Sequence, residues 1–302
     1  MGRKARVFLE NISQNVIIRG NNNQSIFLDI DDYEFCYDIL KRLTVTVDIH
    51  ILSFVFMPNH IHLFCTPLQE DSLSKFMQNL GRLYVRYFNK KYNRTGSLWD
   101  GRFKSSIVED ILYMFDVMRQ IEQSPMRAKL VKSLDKYKYS SYQTNVLNKD
   151  DQIVKPHIMY KNLGDTKQIR CENYLEMVSK KLEKEKSDFI NANLNKQTVT
   201  GSVGFCKNLE KIVGTSLLGK QRGRPKQTDK KRKNMYSKLV VLDKNEHKDL
   251  KIKALSDLSF AKDLSFVPVV ANEAALVGND FPVVFSGGEN PSLITLTSLG
   301  GS

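Results

Sequence analysis

The stretch Ser53-Phe54-Val55-Phe56-Met57-Pro58-Asn59-His60-Ile61-His62-Leu63-Phe64 decides how the rest of the chain reads. Apolar residues on both sides of a Pro-Asn turn predict two strands joined tightly. His60 and His62 are separated by one residue. Alternate side chains of a strand leave the same face, so both imidazoles stand together while Ile61 and Leu63 point into a core. That spacing suits a metal ion, and a pair of surface histidines on an edge strand is the competing reading.

Working outward, Asn15-Val16-Ile17-Ile18-Arg19 reads as a first strand closed by the turn-rich Gly20-Asn21-Asn22-Asn23. Asp31 and Asp32 open a helix to about Leu43, with Phe35, Ile39 and Leu40 on one side, and Thr44 to Phe56 reads as a long strand. From Asp71 to about Asn89, Leu73, Phe76, Met77, Leu80, Leu83, Tyr84, Tyr87 and Phe88 recur at helical spacing. The other side of that helix carries Lys75, Arg82 and Arg86, which either meet phosphates or are simply solvated.

The loop Thr95 to Lys104 then enters a strand over Ser105 to Val108. It holds the only tryptophan, Trp99, close to Arg102 and Lys104; this suits stacking on an unpaired base with phosphate contacts, unless the indole plugs the core. Asp110 caps a helix from Ile111 to about Gln123, ended by Ser124-Pro125. The order strand, helix, strand, strand, helix, strand predicts an α+β fold of ferredoxin-like type. Its antiparallel sheet has helices on one face, and the appended helix is free to cover the histidines.

The chain has 302 residues, 41% of them hydrophobic, enough for one large or two modest domains. A net charge of +13 favours a polyanionic partner, nucleic acid before membrane, since no run of eighteen apolar residues could span a bilayer. Four cysteines with no C-x-x-C pair support neither a zinc ribbon nor a disulfide framework. The polar start, without an apolar signal segment, makes the cytoplasm the default location.

Charge is unevenly placed: residues 235–302 hold six lysines and eight acids, which leaves +15 for residues 1–234. Three pieces are expected: 1–145, a basic helical extension over 146–234, and a different segment over 235–302. Within the extension, Tyr174, Met177, Val178 and Leu182 recur at helical spacing among Lys180, Lys181, Lys184 and Lys186, and another helix is expected from Ser202 to about Val213. Arg222-Gly223-Arg224-Pro225-Lys226 is AT-hook-like, able to lay Arg222 and Arg224 into a narrow minor groove, with a solvated basic run as the alternative.

Several blocks together resemble the REP-associated tyrosine transposases, HUH single-strand transposases of insertion-sequence type. These are Arg19-Gly20-Asn21-Asn22, Met57-Pro58-Asn59-His60-Ile61-His62-Leu63, Tyr87-Phe88-Asn89, Gly96 to Ser105, and Ile121-Glu122 with Pro125-Met126-Arg127-Ala128. The resemblance runs over roughly residues 1–230 and continues through Lys138 to Tyr142 and Gly201-Ser202. It implies a divalent metal, Mg²⁺ or Mn²⁺, held by His60, His62 and a polar residue of the appended helix. It also implies a helix tyrosine that attacks a phosphate of single-stranded or hairpin DNA. Charge and placement along the chain assign Arg19, Lys75, Arg82, Arg86, Trp99, Arg102, Lys104, Arg222, Arg224 and Lys226 to DNA binding. Residues 235–302 resemble the opening of SapC-like proteins.

The chain departs from that pattern where the chemistry should lie. Gln120 occupies the tyrosine position, and a carboxamide forms neither an oxyanion nor a stable phosphoester. One helical turn on, Ser124 stands where the family has an Asn or Gln ligand, and Asn15 stands where a histidine is frequent. Tyr113 is the less favoured substitute nucleophile: it shares a helix face with Gln120 but lies seven residues earlier, roughly 10 Å along the axis. Two functions follow as expectations: a transposase-family protein acting on single-stranded or hairpin DNA with impaired cleavage, or a non-catalytic DNA-binding relic or regulator.

Overall fold

The computed structural model describes residues 9–214. The chain divides into two units, 1–246 and 247–302, and all described residues lie in the first.

Strand β1 (Gln14–Arg19) is followed by helix α1 (Ile30–Thr46), the hairpin β2 (Ile49–Met57) and β3 (His60–Pro67), helix α2 (Ser72–Lys91) and strand β4 (Lys104–Val108). Among these four strands the order is β2-β3-β1-β4 with every pair antiparallel, as the βαββαβ reading requires. Pro58-Asn59 forms the two-residue loop of the hairpin, with Met57 opposite His60. β1 lies on the other side of β3, with Ile17 opposite His62 and Arg19 opposite His60.

The alternation on these strands divides the core in two. Val16, Ile18, Ile61, Leu63 and Cys65 pack beneath α1 and α2 with Ile39, Leu40, Phe76, Leu80 and Tyr84. Phe64 and Val55 face the other way and pack against Met114, Val117, Met118 and Ile121. These last four residues belong to α3 (Asp110–Glu122), the appended helix. Pro125 has no N–H to continue the helical ladder, so α3 stops and a short turn, α4 (Ser124–Arg127), carries on from it.

After the single turns α5 (Tyr142–Asn145) and α6 (Ile158–Lys161), the helices α7 (Lys167–Ser179) and α8 (Lys184–Lys196) join α3 on this second face. A short strand, β5 (Val199–Thr200), pairs parallel to β4, and α9 (Val203–Val213) follows, capped by the Ser202 hydroxyl accepting from Phe205 N–H. Residues before and after position 146 thus share one apolar cluster: Tyr174, Val178, Leu182 and Ile190 pack with Val117 and Ile121.

Two local expectations change. Thr44, Val45 and Thr46 finish α1 rather than start a strand, because the capped, amphipathic α1 runs on until Val47 turns extended. The 174–182 periodicity is broken at Lys180, whose extended backbone ends α7; Leu182 reaches the core from the connector. The AT-hook-like run and the SapC-like segment lie outside the described residues.

A buried carboxylate ties the second layer to α3. Glu122 is fully buried; Oε1 accepts from Ser141 Oγ at 2.6 Å and Asn145 Nδ2 at 2.8 Å, and Oε2 from Tyr174 Oη at 2.9 Å. Burial raises its pKa from the ordinary 4.5 to about 7. Nearby, Gln123 Nε2 donates to Val178 O at 2.7 Å and Arg119 donates to Met177 O and Lys180 O, so α3 satisfies carbonyls at the end of α7. Glu122→Ala removes the acceptor shared by three buried donors, leaving Tyr174 Oη without one, and is expected to lower stability by about 3 kcal/mol. Glu122→Gln keeps the volume and most of the bonds and costs well under that; chemical denaturation of both variants is the check.

Candidate functional site

The cavity between β1, β3, α3, α4 and α8 has a volume of about 300 Å³ and is lined by Arg19, His60, His62, Gln120, Ser124, Arg127, Asn191 and Asn195 among others. Strand alternation delivers the first three, since Ile17 and Arg19 of β1 and His60 and His62 of β3 all leave the sheet on the α3 side. Gln120, Ser124 and Arg127 form one stripe at intervals of four and three residues, the spacing that stacks side chains on a helix face.

The imidazoles are held from behind. His60 Nδ1 meets Asn59 Oδ1 at 2.6 Å, and Asn59 Nδ2 in turn donates to Asn23 Oδ1 at 2.6 Å. His62, only 4% exposed, places Nε2 2.6 Å from Asn15 Oδ1. The ring centroids are 6.4 Å apart. Burial, together with the positive charges of Arg19 and Arg127, lowers the His60 pKa from its ordinary 6.5 to about 4. Burial also depresses His62 well below that ordinary value, helped by His60, Arg127 and Arg19. Both rings are therefore neutral at pH 7, each with one N–H and one lone pair.

Gln120 is 2% exposed, and its Nε2 donates to Asn191 Oδ1 of α8 at 2.7 Å. Its Oε1 is buried and has no hydrogen-bond partner among the described residues. Ser124, by contrast, is already committed: Oγ donates to Gln120 O at 2.9 Å and accepts from Arg127 Nη2 at 2.9 Å. A serine bonded back to the carbonyl one turn earlier has turned its hydroxyl along the helix. The expected weak ligand role of Ser124 therefore meets a hydroxyl engaged on both its donor and acceptor sides. Arg127 Nη2 also reaches Gln120 O at 2.6 Å.

The other sequence candidates are dispersed. Tyr113 does not line the cavity; its ring packs on Phe189 of α8 with centroids 5.6 Å apart. Trp99, expected to stack on a base unless it plugged the core, is 9% exposed and does the latter, lying beside Tyr84 with Nε1 donating to Gly81 O at 3.2 Å. A Cβ at position 81 would sit 3.4 Å from that indole nitrogen, an ordinary contact, so the indole lies directly against the α2 backbone. Lys75, Arg82 and Arg86 are exposed on α2, the layer on the opposite side of the sheet from the histidines. Lys75 pairs with Asp71 at 2.6 Å, and Arg82 donates to Asn79 at 3.1 Å. Arg102 is exposed in its loop, while Lys104 Nζ donates to Asn195 Oδ1 at 3.1 Å at the margin of the cavity.

Sequence reasoning missed Asn191 and Asn195 and passed over Arg127 as a site residue. The signal for Arg127 was its place seven residues after Gln120 on one helix face; nothing in the sequence of α8 marks its asparagines. Among the described residues no three His, Cys, Asp or Glu side chains are gathered so as to hold a metal ion, and no carboxylate lines the cavity. Two guanidinium groups and two neutral imidazoles make it a place for an anion.

Residues 9–124 match the family described as IS200-like transposases, and residues 242–301 match SapC. Among the solved structures that align with the chain are two that are each 15% identical to it. One, a REP-associated tyrosine transposase bound to a REP hairpin, covers 52% of this chain and 93% of its own, with a TM-score of 0.42. The other, described as a transposase from Deinococcus radiodurans R1, covers 43% of this chain and 92% of its own, with a TM-score of 0.29. No curated protein matches the chain. Among the described residues no helix is long and apolar enough to cross a membrane.

The histidines give the site a pH signature. In the unfolded chain they take up protons as pH falls through 6.5, whereas in the fold His60 holds out to about 4. Between those values the unfolded state binds more protons, so stability is full above 6.5 and falls as pH is lowered toward 4. Melting curves over that range should show the loss, and His60→Asn with His62→Asn should flatten it.

Proposed function

We propose that the chain is a DNA-binding member of the transposase lineage that engages single-stranded or hairpin DNA at the His60/His62 cavity and is impaired in strand cleavage. The observation that carries this reading is the composition of the cavity. Arg19 and Arg127 flank two neutral imidazoles with no carboxylate among the lining residues, which is suited to a phosphodiester and hostile to an unpaired acid. Cleavage by a tyrosine needs a phenolic oxygen in line with the phosphorus, and no tyrosine lines the cavity. Gln120 occupies the helix position from which the resemblance implies the attack.

Arg127 has a second task in this reading. By bonding Gln120 O and Ser124 Oγ it holds the junction of α3 and α4, so one guanidinium both fixes the helix end and faces the incoming phosphate. A divalent ion is what the resemblance adds, and the donor chemistry fits one: two neutral imidazoles and a buried amide oxygen without a partner. Bound there, it would supply Lewis-acid polarisation of a phosphate oxygen. The division into 1–145, 146–234 and 235–302 is kept as a functional proposal. In it the second piece extends the DNA contact through Arg222, Arg224 and Lys226, and the SapC-like third adds no chemistry to the site.

A non-catalytic binder or regulator is the second reading, favoured by the absence of any tyrosine among the cavity residues. The two are separated on a denaturing gel of labelled hairpin DNA incubated with Mn²⁺. The chain as written is expected to give no protein-linked band. Gln120→Tyr, alone or with Ser124→Asn, is expected to give a partial one if the supporting groups survive, and no band at all favours the regulator. A band from the unaltered chain that vanishes with Tyr113→Phe would make Tyr113 the nucleophile.

Affinity should fall steeply with salt, because each neutralised phosphate releases counterions. Arg127→Ala and Arg19→Ala should each weaken binding and reduce the slope of log K against log salt by about one. A flat salt response would remove nucleic acid as the partner.

A further inference from the structure

The amide of Gln120 has an orientation that its own neighbours do not explain. Its nitrogen is satisfied by Asn191 Oδ1 at 2.7 Å, which leaves Oε1 as the half turned away from that bond. That oxygen is buried, lies on a residue lining the cavity, and accepts nothing from the described residues. Leaving a buried acceptor empty costs free energy, so a group that fills it is favoured. The guanidinium of Arg127 passes close but spends its Nη2 on the Gln120 main-chain carbonyl and on Ser124 Oγ. What stands across the cavity are the two imidazoles, each with one ring nitrogen committed to an asparagine and the other left with its lone pair.

We infer that Gln120 is a metal ligand: its Oε1 joins His60 and His62 around a first-row divalent ion, at the position where the related pattern carries a nucleophile. Ser124 has its proton and one of its two lone pairs engaged, which makes it the poorer donor of the two, and Asn191 is the positioning residue that holds the nitrogen half of the Gln120 amide. The inference rests on the proposed function in taking this cavity as the working site.

The donor set also names the kind of ion. Two imidazoles and one amide oxygen suit Mn²⁺, Co²⁺ or Zn²⁺ better than Mg²⁺, which prefers oxygen and keeps its waters. With no carboxylate in the lining and two arginines close by, affinity for the free ion is low. A DNA phosphate, by cancelling that positive charge, should raise it.

Mn²⁺ binding to the full chain, followed by loss of the electron paramagnetic resonance signal of the free ion, tests this without reference to cleavage. Gln120→Ala is expected to weaken Mn²⁺ at least about tenfold and Asn191→Ala by a smaller factor, whereas Gln120→Glu strengthens it by placing a charged oxygen at the same point. Ser124→Ala is expected to leave it within about twofold of the parent. Mn²⁺ should bind more tightly than Mg²⁺ in competition, and more tightly still with a hairpin oligonucleotide present.

The inference is overturned if Gln120→Ala binds Mn²⁺ like the parent, or if Ser124→Ala rather than Gln120→Ala carries the loss. It is also overturned if His60→Ala with His62→Ala makes no difference, which would mean that the ion binds elsewhere. DNA binding measured in chelator on the same proteins separates the two levels. If the parent binds DNA in chelator but not Mn²⁺, the ligand assignment alone fails; if it binds neither, the proposed function fails with it. Melting curves guard against misfolding, and Gln120→Glu, whose shape is retained, keeps the test decisive should Gln120→Ala be unstable.

Discussion

Everything at the site depends on β3 being covered on both faces. It lies between β2 and β1, so its backbone groups are spent on two ladders, and its side chains must alternate between two packed layers. Ile61, Leu63 and Cys65 go under α1 and α2; Phe64 goes under α3. His60 and His62 share the phase of Phe64, and the sheet cannot slip by one residue without sending three apolar side chains out of one core and two imidazoles into it. The apolar half of the strand thereby fixes the polar half. It also explains why the imidazoles are neutral, since a group held this deep gives up its proton before it gives up its packing.

The second constraint comes from α3, which has to serve a core and a cavity at once. Met114, Val117, Met118 and Ile121 take the core. Gln120, Ser124 and Arg127 take the cavity, and Glu122 points to α5 and α7 through three hydrogen bonds. A helix with obligations in three directions cannot rotate, and that is what positions the Gln120 stripe opposite β3. The helices after position 146 are therefore structural partners of the site and not only neighbours in sequence. Tyr174 anchors Glu122, and Asn191 meets Gln120.

Much of this was legible beforehand, for a physical reason. The period-two run around His60 and His62 and the helical period of α2 are written locally, so strand order, the hairpin turn and the facing of the histidines follow from residues close together. Thr44 to Thr46 misled because β-branched residues favour strands, yet a helix already nucleated and capped at Asp29 runs through them. Trp99 was ambiguous for another reason: an indole among basic residues has the same local sequence whether it faces a base or a core, and only the approach of α2 at Gly81 decides. The polar partners of the site were the least legible. Asn15, Asn191 and Asn195 come from β1 and α8, far apart in sequence, and an asparagine announces its role only through what it touches.

Gln120, at the position where the resemblance implies a tyrosine, is best understood through what a carboxamide offers there. A phenol presents one oxygen that can donate, accept or, deprotonated, attack; a carboxamide divides its polarity between a donor and an acceptor that cannot be exchanged without turning the group over. In this fold the donor half is met by Asn191, and the stripe below it is closed by the Ser124 and Arg127 bonds. Only the acceptor half is left without a partner, and it is left in the one cavity where two imidazole lone pairs and two arginines meet. Drift alone would be as ready to leave a mismatched or collapsed site, because a buried amide with neither half satisfied costs more than an apolar replacement. That half the amide is well bonded, while the other half is buried without a partner on a residue that lines the cavity, is in keeping with a position that still answers to a ligand.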